Sequence, residues 1–259
     1  MTDPPRPAET IALPARGFRI DPRHALIAAA VLWAVFAAVV IAVHSGASAN
    51  FDASGMRYWR TGADFHPRGA PWLGEGVRDF TALGGVLLRH IVALGALAAL
   101  LVLRLRREAV LLAGTIMGGW IVDSALKHFI GRPRPTIVPH LTQAGGTSFP
   151  SGHSFNAAVV YIGIALAFAA LSPRQSVRVT LIASAMILSL LTALSRVWLG
   201  VHWPTDVIAG WTGGAAWAFT ASALLYRPAK AVAQHAGDAL EGVTPGEVSV
   251  DETLRSRSS

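Results

Sequence analysis

Residues 25–43 read ALIAAAVLWAVFAAVVIAV, an apolar run without a charge. A bilayer core about 30 Å thick needs about 20 such residues in a helix, so this stretch predicts a membrane span. Five further runs follow: Gly84 to Leu103, Ala109 to Leu126, Ser154 to Leu171, Val179 to Leu194 and Val207 to Tyr226. The chain is therefore expected to be all-α, a polytopic membrane helical bundle with six transmembrane helices. Composition agrees. Of its 259 residues, 53% are hydrophobic and 14% charged, and mean hydropathy is +0.47, whereas a soluble domain carries about 25% charged residues.

The flanks read differently. Residues 1–23, rich in proline and arginine, are expected to be a disordered cytoplasmic arm. Residues 227–259 are expected to be a polar cytoplasmic tail, also disordered, leaving 24–226 as the membrane domain. Ala47-Ser48-Ala49 resembles a signal-peptide cleavage site. The run before it exceeds an h-region of about 7–15 residues, which favours an uncleaved first helix.

Six spans place both termini on one side. The connections with Arg104, Arg106 and Arg107, and with Arg174 and Arg178, share that side and are basic. By the positive-inside rule it is the cytoplasm of a plasma-membrane protein. The net charge of +7 is read the same way: small arginine groups between apolar runs, not a nucleic-acid patch. The loop Ser45 to Leu83, of mixed charge, belongs outside, and Val77 to Leu83 is expected to form a short helix at the membrane surface. The absence of cysteine excludes disulfides, thiolate metal sites and a cysteine nucleophile.

Parity brings two loops to the outer face, and both are rich in groups that handle phosphate. One spans Lys127-His128-Phe129-Ile130-Gly131-Arg132-Pro133-Arg134-Pro135 and continues to Phe149-Pro150-Ser151-Gly152-His153. The other is Ser195-Arg196-Val197-Trp198-Leu199-Gly200-Val201-His202-Trp203-Pro204-Thr205-Asp206. Lys127, Arg134 and Arg196 can surround a phosphate, arginine with a planar fork of donors and lysine as a point charge. Ser151, Gly152 and His153 open a helix, where backbone N–H groups and the helix dipole favour an anion. His202 and Asp206 are four residues apart. On a helix they would share a face, the carboxylate holding one ring nitrogen and leaving the other nucleophilic. Asp123, one turn before Lys127, either neutralises that lysine or orients it, and Arg89 and His90 read as interfacial.

The three patterns together resemble the type 2 phosphatidic acid phosphatase (PAP2) superfamily: Lys, six residues, Arg-Pro; Pro-Ser-Gly-His; Ser-Arg, five residues, His, three residues, Asp. The resemblance implies a metal-independent membrane phosphatase that uses no cofactor and acts on a lipid phosphate. Lys127, Arg134 and Arg196 would bind the phosphoryl oxygens, with Ser151 and Gly152. His202 would attack phosphorus, His153 would protonate the leaving oxygen and then help activate water, and Asp206 would hold His202. Ser195 belongs to the motif without a clear role. Candidate substrates are undecaprenyl diphosphate, phosphatidate and phosphatidylglycerol phosphate.

Three rivals bear on the same residues. A metallohydrolase ligated by His153, His202 and Asp206 would set a cation among three fixed cations and one carboxylate, a poor match. A non-catalytic lipid-phosphate transporter would need the cations but not the nucleophile, its carboxylate and a separate acid. A phosphotransferase would use the same motifs with a hydroxyl acceptor in place of water. No nucleic-acid partner is implied, and no feature of the sequence sets an oligomeric state.

Overall fold

The computed structural model of the protein describes residues 21–172 and 174–241. The expectations for residues 1–20 and 242–259 lie outside the described residues. Eight helices follow in order: α1 (Pro22–His44), α2 (Ala49–Tyr58), α3 (Pro71–Gly84), α4 (Val86–Val102), α5 (Arg106–Ile130), α6 (Gly152–Ala169), α7 (Gln175–Trp198) and α8 (Pro204–Glu241). A two-residue antiparallel ladder, β1 (Arg60–Thr61) with β2 (His66–Pro67), lies between α2 and α3.

Local chemistry sets the helix ends. Asp21 caps α1, its carboxylate accepting from the Arg23 N–H at 2.9 Å, with Pro22 in the first turn. α5 stops at Gly131, whose φ of 60° is the left-handed conformation that glycine adopts without penalty. Ser151 caps α6. α8 runs past Arg227 through the polar residues 227–241, which the sequence reading assigns to the tail.

Among the described residues, α1, α5, α6 and α7 are each long and apolar enough to cross a membrane. α3 and α4 meet at a 55° bend and together make a fifth candidate span. Exposed Ile27, Val31, Val110, Trp120, Val179 and Ile187 line the outside of the bundle, an apolar surface too broad for water and suited to lipid. The short helix expected at Val77 to Leu83 is longer, extending back to Pro71.

α6 is the central helix, with most of its apolar window buried. It meets α8 through glycines. A Cβ on Gly214 would stand 2.2 Å from Phe155 O, and one on Gly210 2.7 Å from Ser151 O. Such small residues let membrane helices approach backbone to backbone. At the start of both helices the Ser151 N–H donates to Asp206 O at 3.0 Å. The His153 and His202 segments are thereby fixed side by side.

Candidate active site

The cation cradle is assembled from three elements. Lys127, in the last turn of α5, donates from Nζ to Pro150 O and lies 3.9 Å from Asp123 Oδ1. A Cβ on Gly152 would stand 3.2 Å from Lys127 Cε, so the lysine crosses the start of α6 in close contact with it. Asp123 is in turn held by Asn156 Nδ2 at 2.9 Å. Arg196, near the end of α7, is buried and donates from Nη1 to Thr81 Oγ1 of α3 at 2.6 Å, while its Nε has no hydrogen-bond partner. Arg134, in the loop after α5, reaches Gly145 O at 2.7 Å, Gly146 O at 3.1 Å and Val201 O at 2.8 Å. Burial lowers its pKa from the ordinary value, with Asp206 opposing.

Ser151 is already engaged on both sides. Its Oγ accepts from Ser154 Oγ at 2.9 Å and caps the Ser154 N–H, and its own N–H bonds Asp206 O. The donors that open α6 toward an anion are therefore the N–H groups of Gly152 and His153. The His153 ring packs on the α3–α4 bend, where a Cβ on Gly84 would come 3.1 Å from its Cδ2. Ser195 Oγ donates to Thr192 O at 2.6 Å, a bond within α7.

His202 is 2% exposed and Asp206 fully buried. α8 begins at Pro204, so the two do not share a helix face as the spacing suggested. His202 precedes the helix, and Asp206 reaches back from its first turn, accepting from the Trp203 N–H at 2.9 Å. His202 Nδ1 lies 3.6 Å from Asp206 Oδ2 and 3.4 Å from Ser148 Oγ. The Ser148 hydroxyl donates to the same Oδ2, so the serine sits beside the ring on one carboxylate oxygen. Arg134 Nη1 is 3.0 Å from His202 Nε2. Arginine has no acceptor, so Nε2 carries the lone pair and Nδ1 the proton. Burial lowers the His202 pKa to about 4; Asp206 opposes the shift, and Arg134 and Arg196 add to it. The ring is thus neutral at physiological pH, with its free nitrogen facing the cations.

Other residues of the site escaped the sequence reading. Arg132 donates to Asp206 Oδ1 and to Asp52 Oδ2, both at 2.7 Å. Ser148, Thr205 and Asp52 complete that network. The only signal for Arg132 was the doubled Arg-Pro of residues 132–135, and spacing does not tell which arginine meets phosphate. Arg89 is not interfacial. It is 8% exposed and donates to Gly84 O at 3.0 Å, inside the bundle at the α3–α4 bend. No group of three His, Cys, Asp or Glu side chains suited to a metal occurs among the described residues.

Fold and site together define a helical integral-membrane protein in which a buried histidine, set between a carboxylate and an arginine, faces a cluster of cations. Residues 107–229 match the PAP2 superfamily. Phosphatidylglycerophosphatase B of Bacillus subtilis is 36% identical over 149 residues, covering 56% of this chain and 71% of that protein. A lipid A 1-phosphatase of Rhizobium etli is 36% identical over 121 residues, 43% of this chain and 47% of that one. The crystal structure of a transmembrane PAP2-type phosphatidylglycerolphosphate phosphatase from B. subtilis aligns with a TM-score of 0.69 at 27% identity, over 77% of this chain and 96% of that chain. The chain belongs to the PAP2 superfamily, as an integral-membrane phosphatase.

Proposed function

We propose that the chain hydrolyses a lipid phosphate through a phosphohistidine intermediate. The observation that carries this reading is His202, held with Nδ1 toward Asp206 and Nε2 toward Arg134. The Nε2 lone pair attacks phosphorus, the bond from phosphorus to the ester oxygen breaks, and His153 gives that oxygen its proton. Water then attacks the phosphohistidine and passes a proton to His153. The N–P bond breaks, and inorganic phosphate leaves with both histidines restored. Lys127, Arg134, Arg196 and the Gly152 and His153 N–H groups hold the phosphoryl oxygens as charge develops.

The substrate class is suggested by the relatives that match over most of their length, both named for phosphatidylglycerophosphate. We take a lipid phosphomonoester of that kind as first candidate, with phosphatidate beside it. Undecaprenyl diphosphate is supported more narrowly, by an undecaprenyl-diphosphatase of B. subtilis, 33% identical over 110 residues, 39% of this chain and 50% of that protein. The proposed topology has six spans, with the bent α3–α4 pair as the second and α8 as the sixth. The active site then lies at the non-cytoplasmic face, because the basic connections Arg104–Arg107 and Arg174–Arg178 sit at the opposite helix ends.

Trapping the intermediate tests the reading. Purified protein given ³²P-labelled phosphatidylglycerol phosphate and quenched in alkali is expected to carry label that is acid-labile and alkali-stable, absent from His202→Ala. Turnover by His202→Ala at the wild-type rate excludes the mechanism.

A further inference from the structure

The carboxylate that orients His202 is itself held by a second buried carboxylate from outside the motifs. Asp52, in α2, is 1% exposed. Its oxygens accept from the Thr205 N–H at 2.9 Å, from Thr205 Oγ1 at 2.8 and 2.9 Å, and from Arg132 Nη2 at 2.7 Å. Arg132 turns its other nitrogen, Nη1, to Asp206 Oδ1 at 2.7 Å and Thr205 Oγ1 at 2.8 Å. One planar guanidinium thus bridges two carboxylates, a geometry that lysine lacks. α2 is seated closely enough for this: a Cβ on Gly55 would come 2.6 Å from Pro204 Cγ.

Charge explains why two carboxylates are needed. Asp206 with Arg132 alone is a neutral pair, and Arg132 weakens the field that Asp206 sets on His202. Adding Asp52 leaves the triad at one net negative charge. That charge faces a ring which becomes cationic when Nε2 bonds to phosphorus.

We propose that Asp52 and Arg132 are positioning residues for the reaction. They fix the Asp206 carboxylate and preserve its negative field on His202, so that α2 of the first outside loop is part of the catalytic apparatus. The proposal rests on His202 as nucleophile.

The groups facing His202 are Asp206 on α8, Arg134 in the loop after α5, Arg196 on α7 and His153 on α6. Asp52→Asn keeps the side chain's shape and removes one negative charge. Its kcat on phosphatidate in mixed detergent micelles is expected to fall about 10–100-fold, by analogy with groups that orient metal-binding histidines, with KM little changed. Its acid limb should move to lower pH, because an imidazolium is then less favoured. Arg132→Gln removes a positive charge and should also lose rate, but with its acid limb moved up. Damage to the fold alone lowers the active fraction and moves neither limb. Asp52→Glu restores the charge and should recover part of the rate with the wild-type limb. If Asp52→Asn does not purify as a monodisperse protein, Arg132→Lys carries the same test and should lose kcat without loss of charge. A kcat within twofold of wild type for the purified variant, or limbs shifted in the same direction, overturns the proposal. Full turnover and no phosphoenzyme label difference in His202→Ala would instead overturn the nucleophile assignment beneath it.

Discussion

Arg134 Nη1 donates to His202 Nε2 at 3.0 Å, so the arginine proposed to bind phosphate is hydrogen-bonded to the lone pair proposed to attack phosphorus. The guanidinium has a second anchorage in the carbonyls of Val201, Gly145 and Gly146. Phosphate oxygens entering the cradle can therefore draw Nη1 off the imidazole while the side chain stays in place. The same contact sets the tautomer of His202, with the proton on Nδ1.

Two consequences for pH follow. His202 must be neutral to attack, and its pKa is lowered to about 4, chiefly by burial. The acid limb of kcat/KM is expected well below 6.5, the ordinary value for histidine. Arg134→Ala removes a positive charge that helps lower this pKa, so its acid limb should rise, though burial still holds it under the ordinary value. Activity should fall about 10²–10³-fold, as for loss of a transition-state donor. A pH series on both proteins checks this, and a variant limb lower than wild type contradicts the assignment.

The site divides by how sequence encodes it. Lys127, Arg134, His153, Arg196, His202 and Asp206 were legible because each lies at a fixed offset within a short motif, and helix parity brings the motifs to one face. Asp52, Arg132, Ser148 and Thr81 were not legible in this way. Their partners are up to 153 residues away, and their roles arise from packing of α2 and α3 on the site. Apolar runs were legible as candidate spans, and among the described residues α1, α5, α6, α7 and the bent α3–α4 pair correspond to five of them; the 55° bend was not legible, because Gly84 there packs against His153 and Thr192, residues distant in sequence. The His202–Asp206 spacing suggested a helical face, yet Pro204 starts the helix between them.

Arg196→Lys should not behave as a conservative change. The guanidinium donates to Thr81 Oγ1 at 2.6 Å and keeps Nε without a partner, within a buried site. Lysine keeps the charge but cannot both bind Thr81 and present a fork to phosphate. A loss of about 10²–10³ in kcat is expected, with Thr81→Val giving a smaller loss in the same direction. Steady-state kinetics on both variants decide the matter, and an Arg196→Lys enzyme with unchanged rate and affinity would reduce Arg196 to a membrane anchor.

Topology can be checked directly because the chain has no cysteine. Gly145→Cys lies in the loop that anchors Arg134, and Gln175→Cys lies at the start of α7. An impermeant thiol reagent added to intact cells should label the first position and spare the second until the membrane is opened. Labelling in the reverse order would place the site on the cytoplasmic face.

The two histidines are separable by leaving group. His202→Ala should abolish turnover of every substrate, since no phosphoenzyme forms. With His153 as the proposed general acid, its importance should scale with the basicity of the leaving oxygen. The alkoxide of a lipid monoester needs the proton, whereas nitrophenolate or a departing phosphate needs it much less. General acid catalysis is worth about 10²–10⁴. His153→Ala should lose most of that on phosphatidate and far less on a nitrophenyl ester in the first step. The same variant lacks the base for water and should accumulate label on His202. In the proposed mechanism a neutral His202 and a protonated His153 act together, and the anionic phosphate beside His153 favours its protonated form in the complex, so an alkaline limb is expected in kcat and should disappear in His153→Ala. Single-turnover measurements with both substrates make the comparison. Equal loss on the two leaving groups, with no label trapped on His202, would show that His153 only shapes the site, packed as it is against Gly84 at the α3–α4 bend.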